Sequence, residues 1–229
     1  MPYYIDSTWF LLVLPTFLLA LWAQQRVKHT FRKYSLYRPA SGMTGAEAAR
    51  RILDANGLSY VQVRPVSGSL TDHYDPRTRI VSLSEKVYGA STISEIGVAA
   101  HECGHAVQHA EEYGPLKLRN AIIPITNIGS SLAVPVFVLG LIFNFKVIMA
   151  IGILLFGLMA LFQLITLPVE YNASHRAIAT IGERGMLSPE ELGGAKKVLS
   201  AAALTYVAAL ASTMAQLGRL VIIGRRSSD

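Results

Sequence analysis

Charge is absent from two long stretches of this chain, 121–145 and 147–169, with only Lys146 between them. Each is longer than the roughly 20 residues a helix needs to cross a hydrocarbon core of about 30 Å. Two antiparallel membrane helices joined by a tight turn around Asn144-Phe145-Lys146 are therefore expected. Residues 8–23 form a shorter uncharged run, and Trp9 and Trp22 near its ends suit the two membrane interfaces. A fourth uncharged run, 198–218, is rich in alanine and followed by Arg219, so it predicts a weaker span.

The interval from Gln24 to Asn120 is polar and patterned differently. Thr44-Gly45-Ala46-Glu47 has the form of a capping box, and Asn56-Gly57 has the form of a helix stop. Between them Ala49, Ile52 and Leu53 share one face. Tyr60 to Val66 alternates as a strand does, and Arg79 to Leu83 predicts a second strand, with turns at Ser67-Gly68-Ser69 and Asp75-Pro76-Arg77-Thr78. Thr92-Ile93-Ser94-Glu95 predicts a helix start, and Gly114-Pro115 its end. A last capping box, Ser188-Pro189-Glu190-Glu191, opens the final helix. The order is helix, small sheet, helix, with membrane helices on either side.

Composition agrees. Hydrophobic residues make up 52% of the chain and charged residues 16%, which is apolar for a soluble globule. The net charge of +6 does not point to nucleic acid, because the basic residues crowd beside a span rather than interleave with aromatics. Arg26, Lys28, Arg32, Lys33 and Arg38 follow the first span with no acid before Glu47. The positive-inside rule then puts the N-terminus outside and the polar region in the cytoplasm. Positive charge after the apolar run, rather than before it, marks a retained anchor and not a cleaved signal. A spanning fourth segment would put Arg225 and Arg226 outside; a partly inserted helix avoids this, and the sequence leaves both open. The lone Cys103 excludes an internal disulfide and fits a reducing compartment.

Chemistry concentrates in His101-Glu102-Cys103-Gly104-His105. Two histidines four apart lie on one helix face, so both imidazoles reach a single Zn²⁺. Glu102, beside the first, is placed to take a proton from the water that the metal activates. Cys103 points off the ligand face and is expected in the core. A catalytic zinc takes a third protein ligand. His109 lies about 12 Å along the helix axis from His101, too far to share one ion on a straight helix. Glu170 is the better candidate, a lone carboxylate at the end of the third uncharged run that needs a partner there. On a continuing helix Glu170 and Ser174 share a face. The histidines also need groups to receive their outward N–H, and Asp72, Asp75 and Asn172 are candidates. Arg176, His73 and Tyr74 are candidate donors to a developing oxyanion.

The stretch from Leu70 to Tyr88, the His101–His105 motif and Leu167-Pro168-Val169-Glu170-Tyr171-Asn172-Ala173-Ser174 resemble the bacterial membrane neutral zinc metallopeptidase family of the YugP type. The resemblance covers nearly the whole chain. A more distant likeness is to membrane metallopeptidases of the CAAX-prenyl-protease type. Their third ligand is the glutamate of a Glu-aromatic-x-Ala-Asp stretch, and Ser174 stands here where aspartate is usual. The resemblance implies a zincin of gluzincin-like type with one Zn²⁺ per chain on His101, His105 and Glu170, and Glu102 as general base. Asp72, His73, Tyr74, Asn172, Ser174 and Arg176 remain as supporting or substrate-binding candidates.

The expectation is thus a mainly α integral membrane protein with about four transmembrane helices and a small α+β zincin-like region. Its parts are an N-terminal anchor (1–24), a cytoplasmic zincin-like region (25–120) and a transmembrane hairpin (121–169). A cytoplasmic segment with the third ligand (170–197) and a fourth hydrophobic helix with its tail (198–229) complete it. The expected function is a multi-pass zinc endopeptidase of a bacterial cell membrane, hydrolysing peptides or membrane-protein segments on the cytoplasmic side. The alternatives are a non-proteolytic zinc-stabilised scaffold or adaptor, and an intramembrane site-2-type protease. Small-residue patches at Gly129-Ser130-Ser131 and Gly193-Gly194 allow close helix approach and hence an oligomer.

Overall fold

A computed structural model describes residues 7–226. A π-helical stretch, Trp9–Val13, leads into α1 (Leu14–Tyr34), followed by α2 (Gly45–Ala55). Three short strands, β1 (Gln62–Val66), β2 (His73–Asp75) and β3 (Ile80–Ser84), precede α3 (Glu85–Gly89) and α4 (Ile93–Ala110). Three long helices complete the chain, α5 (Gly114–Ile142), α6 (Lys146–Glu183) and α7 (Pro189–Arg226). The protein is mainly α and integral to a membrane, with a small α+β region. Four helices, beginning at Trp9, Gly114, Lys146 and Pro189, are long and apolar enough to cross a bilayer. The fourth run, ambiguous as a sequence, lies within the continuous helix α7.

The chain forms two compact units. Among the described residues, one comprises 7–24, 118–167 and 204–226, and the other 25–117 and 168–203. In the first, α5 and α6 pack tightly through glycines. A Cβ on Gly152 would lie 2.6 Å from the Phe137 backbone nitrogen, and one on Gly140 would lie 2.5 Å from that of Met149. Phe137, Met149 and Ile223 form its small core, and Ser212 of α7 bonds the Thr16 carbonyl of α1 at 3.2 Å. Few of its apolar side chains are buried and many are exposed, Val147 and Leu154 being 73% and 70% exposed. In water that surface would be a liability; in lipid it is the solvated face.

The second unit has the larger core. Ala48, Ala49, Ile52 and Leu53 of α2 pack with Ile96, Ala99, Ala100 and Cys103 of α4, and Val81 and Leu83 of β3 join them. The capping box at Thr44 and Glu47 forms in both directions, and Gly57, with φ +72°, ends α2 where an L side chain would strain. β3 is central, parallel to β1 and antiparallel to β2, with Tyr74 opposite Val81. Cys103 is fully buried with its thiol on the Ala49 carbonyl, and burial pushes its pKa well above the usual range.

One expected cap and one expected boundary differ, although α4 does begin at Ile93 with Thr92 as its N-cap. At the start of α4 the Thr92 hydroxyl bonds the Glu95 carboxylate rather than the Glu95 N–H. Ser94 joins it, and Lys86 lies 3.3 Å from the other oxygen, so the buried carboxylate is held by side chains. Gly114-Pro115 opens α5 instead of closing α4, which ends at Ala110 with Glu112 in left-handed geometry. Proline is well suited to a first helical turn, where its missing N–H has no helical partner to lose. β2, three residues long, was not foreseen as a strand.

Candidate active site

The helical period of α4 sets the first two groups. His101 and His105 stand one turn apart with their rings edge to face, centroids 4.7 Å apart. The second requirement is met by α6, which runs through Pro168 without ending and carries Glu170 inward, 3% exposed. Glu170 Oε2 lies 3.2 Å from His101 Nε2 and 3.6 Å from His105 Nε2. One ligand atom from each residue can be chosen so that all lie within 4.8 Å of one another. Two imidazole nitrogens and one carboxylate oxygen form a donor set that fits zinc, with a coordination position left over.

Both histidines are held from behind. His101 Nδ1 is 3.0 Å from Ser174 Oγ, and His105 Nδ1 is 3.0 Å from Gln108 Oε1. An amide oxygen only accepts, so His105 carries a hydrogen on Nδ1 and Nε2 is the nitrogen that faces the centre. Gln108 is itself oriented: its amide nitrogen donates to the Val169 carbonyl at 2.8 Å and to Asn172 Oδ1 at 2.9 Å. Asn172 also accepts from Arg176 Nε at 2.7 Å, and Arg176 pairs with Glu111 at 2.6 Å. A chain of polar contacts thus runs from Glu111 to His105 and ties α4 to α6. In the metal-free site burial pulls the His105 pKa down. The Glu170 hydrogen bond, the charges of Glu102 and Glu170, and the Gln108 bond outweigh it and hold His105 above the ordinary value. A metal must displace that proton, so binding weakens as pH falls.

Gln108 was not singled out in the sequence, although its place three residues beyond His105, on the same helix face, was a usable signal. Gln108→Leu keeps the volume but strands the His105 N–H and leaves two acceptors on α6 short of a donor. Zinc affinity is expected to fall about 10–100-fold, read by competition with a chromogenic chelator.

The other candidates divide. Ser174 and Asn172 reach the site, one on a histidine and one through Gln108. Asp72 instead accepts the Ser84 N–H at 2.7 Å, and Asp75 caps its own turn through the Arg77 N–H and the Thr78 hydroxyl. Neither orients a histidine. His73 is exposed, with Nδ1 2.7 Å from the Thr71 carbonyl oxygen. Tyr74 reaches α4, its hydroxyl 2.9 Å from His109 Nδ1, and burial pushes its pKa up to about 12, so it remains a neutral phenol. Arg176 is committed to Glu111 and Asn172. Glu102 is partly exposed on α4 beside His101.

The motif's glycine is what lets the two helices meet. A Cβ on Gly104 would lie 2.4 Å from the Ala173 carbonyl oxygen and 3.1 Å from its Cα. Backbone cannot yield there as a side-chain tip would. Gly104→Ala in an exposed helix gains about 1 kcal/mol. Here the sign reverses, and the variant is expected to lose about 1–3 kcal/mol of stability through overpacking, together with zinc affinity. Thermal unfolding with and without zinc checks both.

The family described as "Putative neutral zinc metallopeptidase" matches residues 9–225. The chain is also similar to the "Putative membrane protease YugP" of Bacillus subtilis (strain 168), with 52% identity over 211 residues, covering 92% of this chain and 94% of that protein. No solved structure matches.

Proposed function

The chain belongs to the neutral zinc metallopeptidase family, and on that premise we propose that it is a membrane-embedded, zinc-dependent endopeptidase. His101 Nε2, His105 Nε2 and Glu170 Oε2 would hold one Zn²⁺. The observation that carries this reading is the convergence of those three atoms from two helices, with Ser174 and Gln108 behind the imidazoles. Zinc, when bound, supplies a Lewis acid for the scissile carbonyl and lowers the pKa of the attacking water.

The chain's own residues do the rest. Glu102 accepts the proton of the attacking water and passes it to the leaving amine. Gln108 and Ser174 fix the imidazoles so that no reorganisation is needed at the moment of reaction. β2 is an edge strand whose Tyr74 contacts α4, which suits an extended peptide paired alongside the site. The basic cluster from Arg26 to Arg38 supports a cytoplasmic site, and the position of Glu170 directly after the apolar run supports one near the membrane surface.

Two other readings fare worse. A structural zinc site is closed by four protein ligands, whereas among the described residues the group consists of three. An intramembrane protease would carry its motif on a spanning helix, but α4 is not one of the four helices suited to cross a bilayer. The test is purification in detergent followed by metal analysis and an assay on an unstructured peptide library. About one zinc per chain is expected, and chelation should remove hydrolysis that added zinc restores. Hydrolysis that persists in the zinc-free protein would refute the proposal.

A further inference from the structure

Three cations sit where the positive-inside reading does not want them. Lys146 begins α6 beside the α5–α6 turn, and Arg225 and Arg226 end α7. Two of them flank a groove of about 660 Å³ in the membrane unit. Met149, Ala150, Ile153 and Leu154 are among the residues that line it from α6 and Val221 among those from α7, and Lys146 and Arg225 lie in the same lining. The two helices are in side-chain contact at this point, Gly224 of α7 facing Ile153 of α6. A Cβ on Gly224 would lie 3.4 Å from Ile153 Cδ1, an ordinary contact distance.

We infer that this groove binds one anionic glycerophospholipid, an acyl chain lying along the apolar walls and the headgroup phosphate on Lys146 and Arg225. The volume falls within the range of roughly 300–1,000 Å³ typical of ligand sites. The walls are hydrocarbon and lie on helices suited to cross a bilayer, where the available filler is an acyl chain rather than water. Lys146 and Arg225, both exposed, mark the polar end. Phe143 and Phe145, 63% and 58% exposed in the adjoining turn, suit the headgroup level. Two cations attract a phosphate, but a choline headgroup brings a compensating positive charge against them. The preference is therefore for a headgroup with net negative charge, each cation contributing about five-fold in affinity. This role also gives Lys146 and Arg225 a reason to stand at this end of the helices.

The test uses the full chain, purified in detergent and delipidated, then titrated in native mass spectrometry. The probes are phosphatidylglycerol and phosphatidylcholine with the same oleoyl chains. The unmodified protein is expected to bind the first phosphatidylglycerol at least ten-fold more tightly than phosphatidylcholine. Lys146→Gln combined with Arg225→Gln should bring the two within about two-fold, and Arg225→Gln alone should reduce the ratio about five-fold. Ala150→Trp, which fills the groove from α6, should weaken both lipids at least five-fold and leave their ratio unchanged. Thermal unfolding of each variant separates lost binding from lost fold. Equal binding of the two lipids by the unmodified protein would overturn the inference. So would a preference that survives in the folded double variant, or binding of both lipids that is indifferent to Ala150→Trp.

Discussion

Replacing Glu170 by alanine is expected to leave the purified protein without stoichiometric zinc. The carboxylate is 3% exposed and lies within 3.6 Å of both imidazoles, so the donor set loses its charge as well as one ligand. Two neutral nitrogens retain a divalent ion poorly. Loss of supporting groups alone costs about 10–100-fold in metal affinity, and loss of a direct ligand should exceed the upper figure. Glu170→Gln keeps the shape and separates charge from volume; it should also lose zinc. Metal analysis after dialysis against a weak chelator reads both variants. A zinc-replete Glu170→Ala protein would place the third ligand elsewhere and dissolve the site described here.

The second large effect is expected at Glu102, with the opposite signature. Glu102→Gln should retain about one zinc per chain while peptide hydrolysis falls by about 10²–10⁴-fold, the usual range for a lost general base. The distinction rests on position. Glu102 neighbours His101 in sequence yet stands outside the three-residue group that converges on the centre. An amide of the same size preserves packing and removes the proton acceptor. Hydrolysis rates and zinc content measured on one preparation decide the matter. Loss of zinc in this variant would make Glu102 a ligand, and unchanged hydrolysis would remove it from the reaction.

How much of this was legible beforehand follows from the range of each interaction. Spans were readable as runs because a bilayer imposes its thickness on any helix that crosses it, whatever that helix packs against. The capping boxes at Thr44 and Ser188 were readable because both partners lie within four residues. The similar pattern at Thr92 marked the start of α4, but its capping bond did not form, because Ser94 and Lys86 compete for the Glu95 carboxylate and Lys86 is brought there by α3. β2 escaped because three residues carry no period, and its pairing partner is β3.

The site divides along the same line. Sequence alone determined that His101 and His105 share a face, since 3.6 residues per turn requires it, and that a lone carboxylate follows an apolar run. It also determined that the chain lives in a membrane. Tertiary structure decided that Glu170 meets those two histidines and that Ser174 and Gln108, rather than Asp72 or Asp75, stand behind them. Those contacts depend on how closely α4 and α6 cross, which is set by the bare Gly104 against the Ala173 backbone. Spacing along one helix is a local property of the chain. The distance between two helices is a packing result, decided by side chains that meet only once the whole unit has folded.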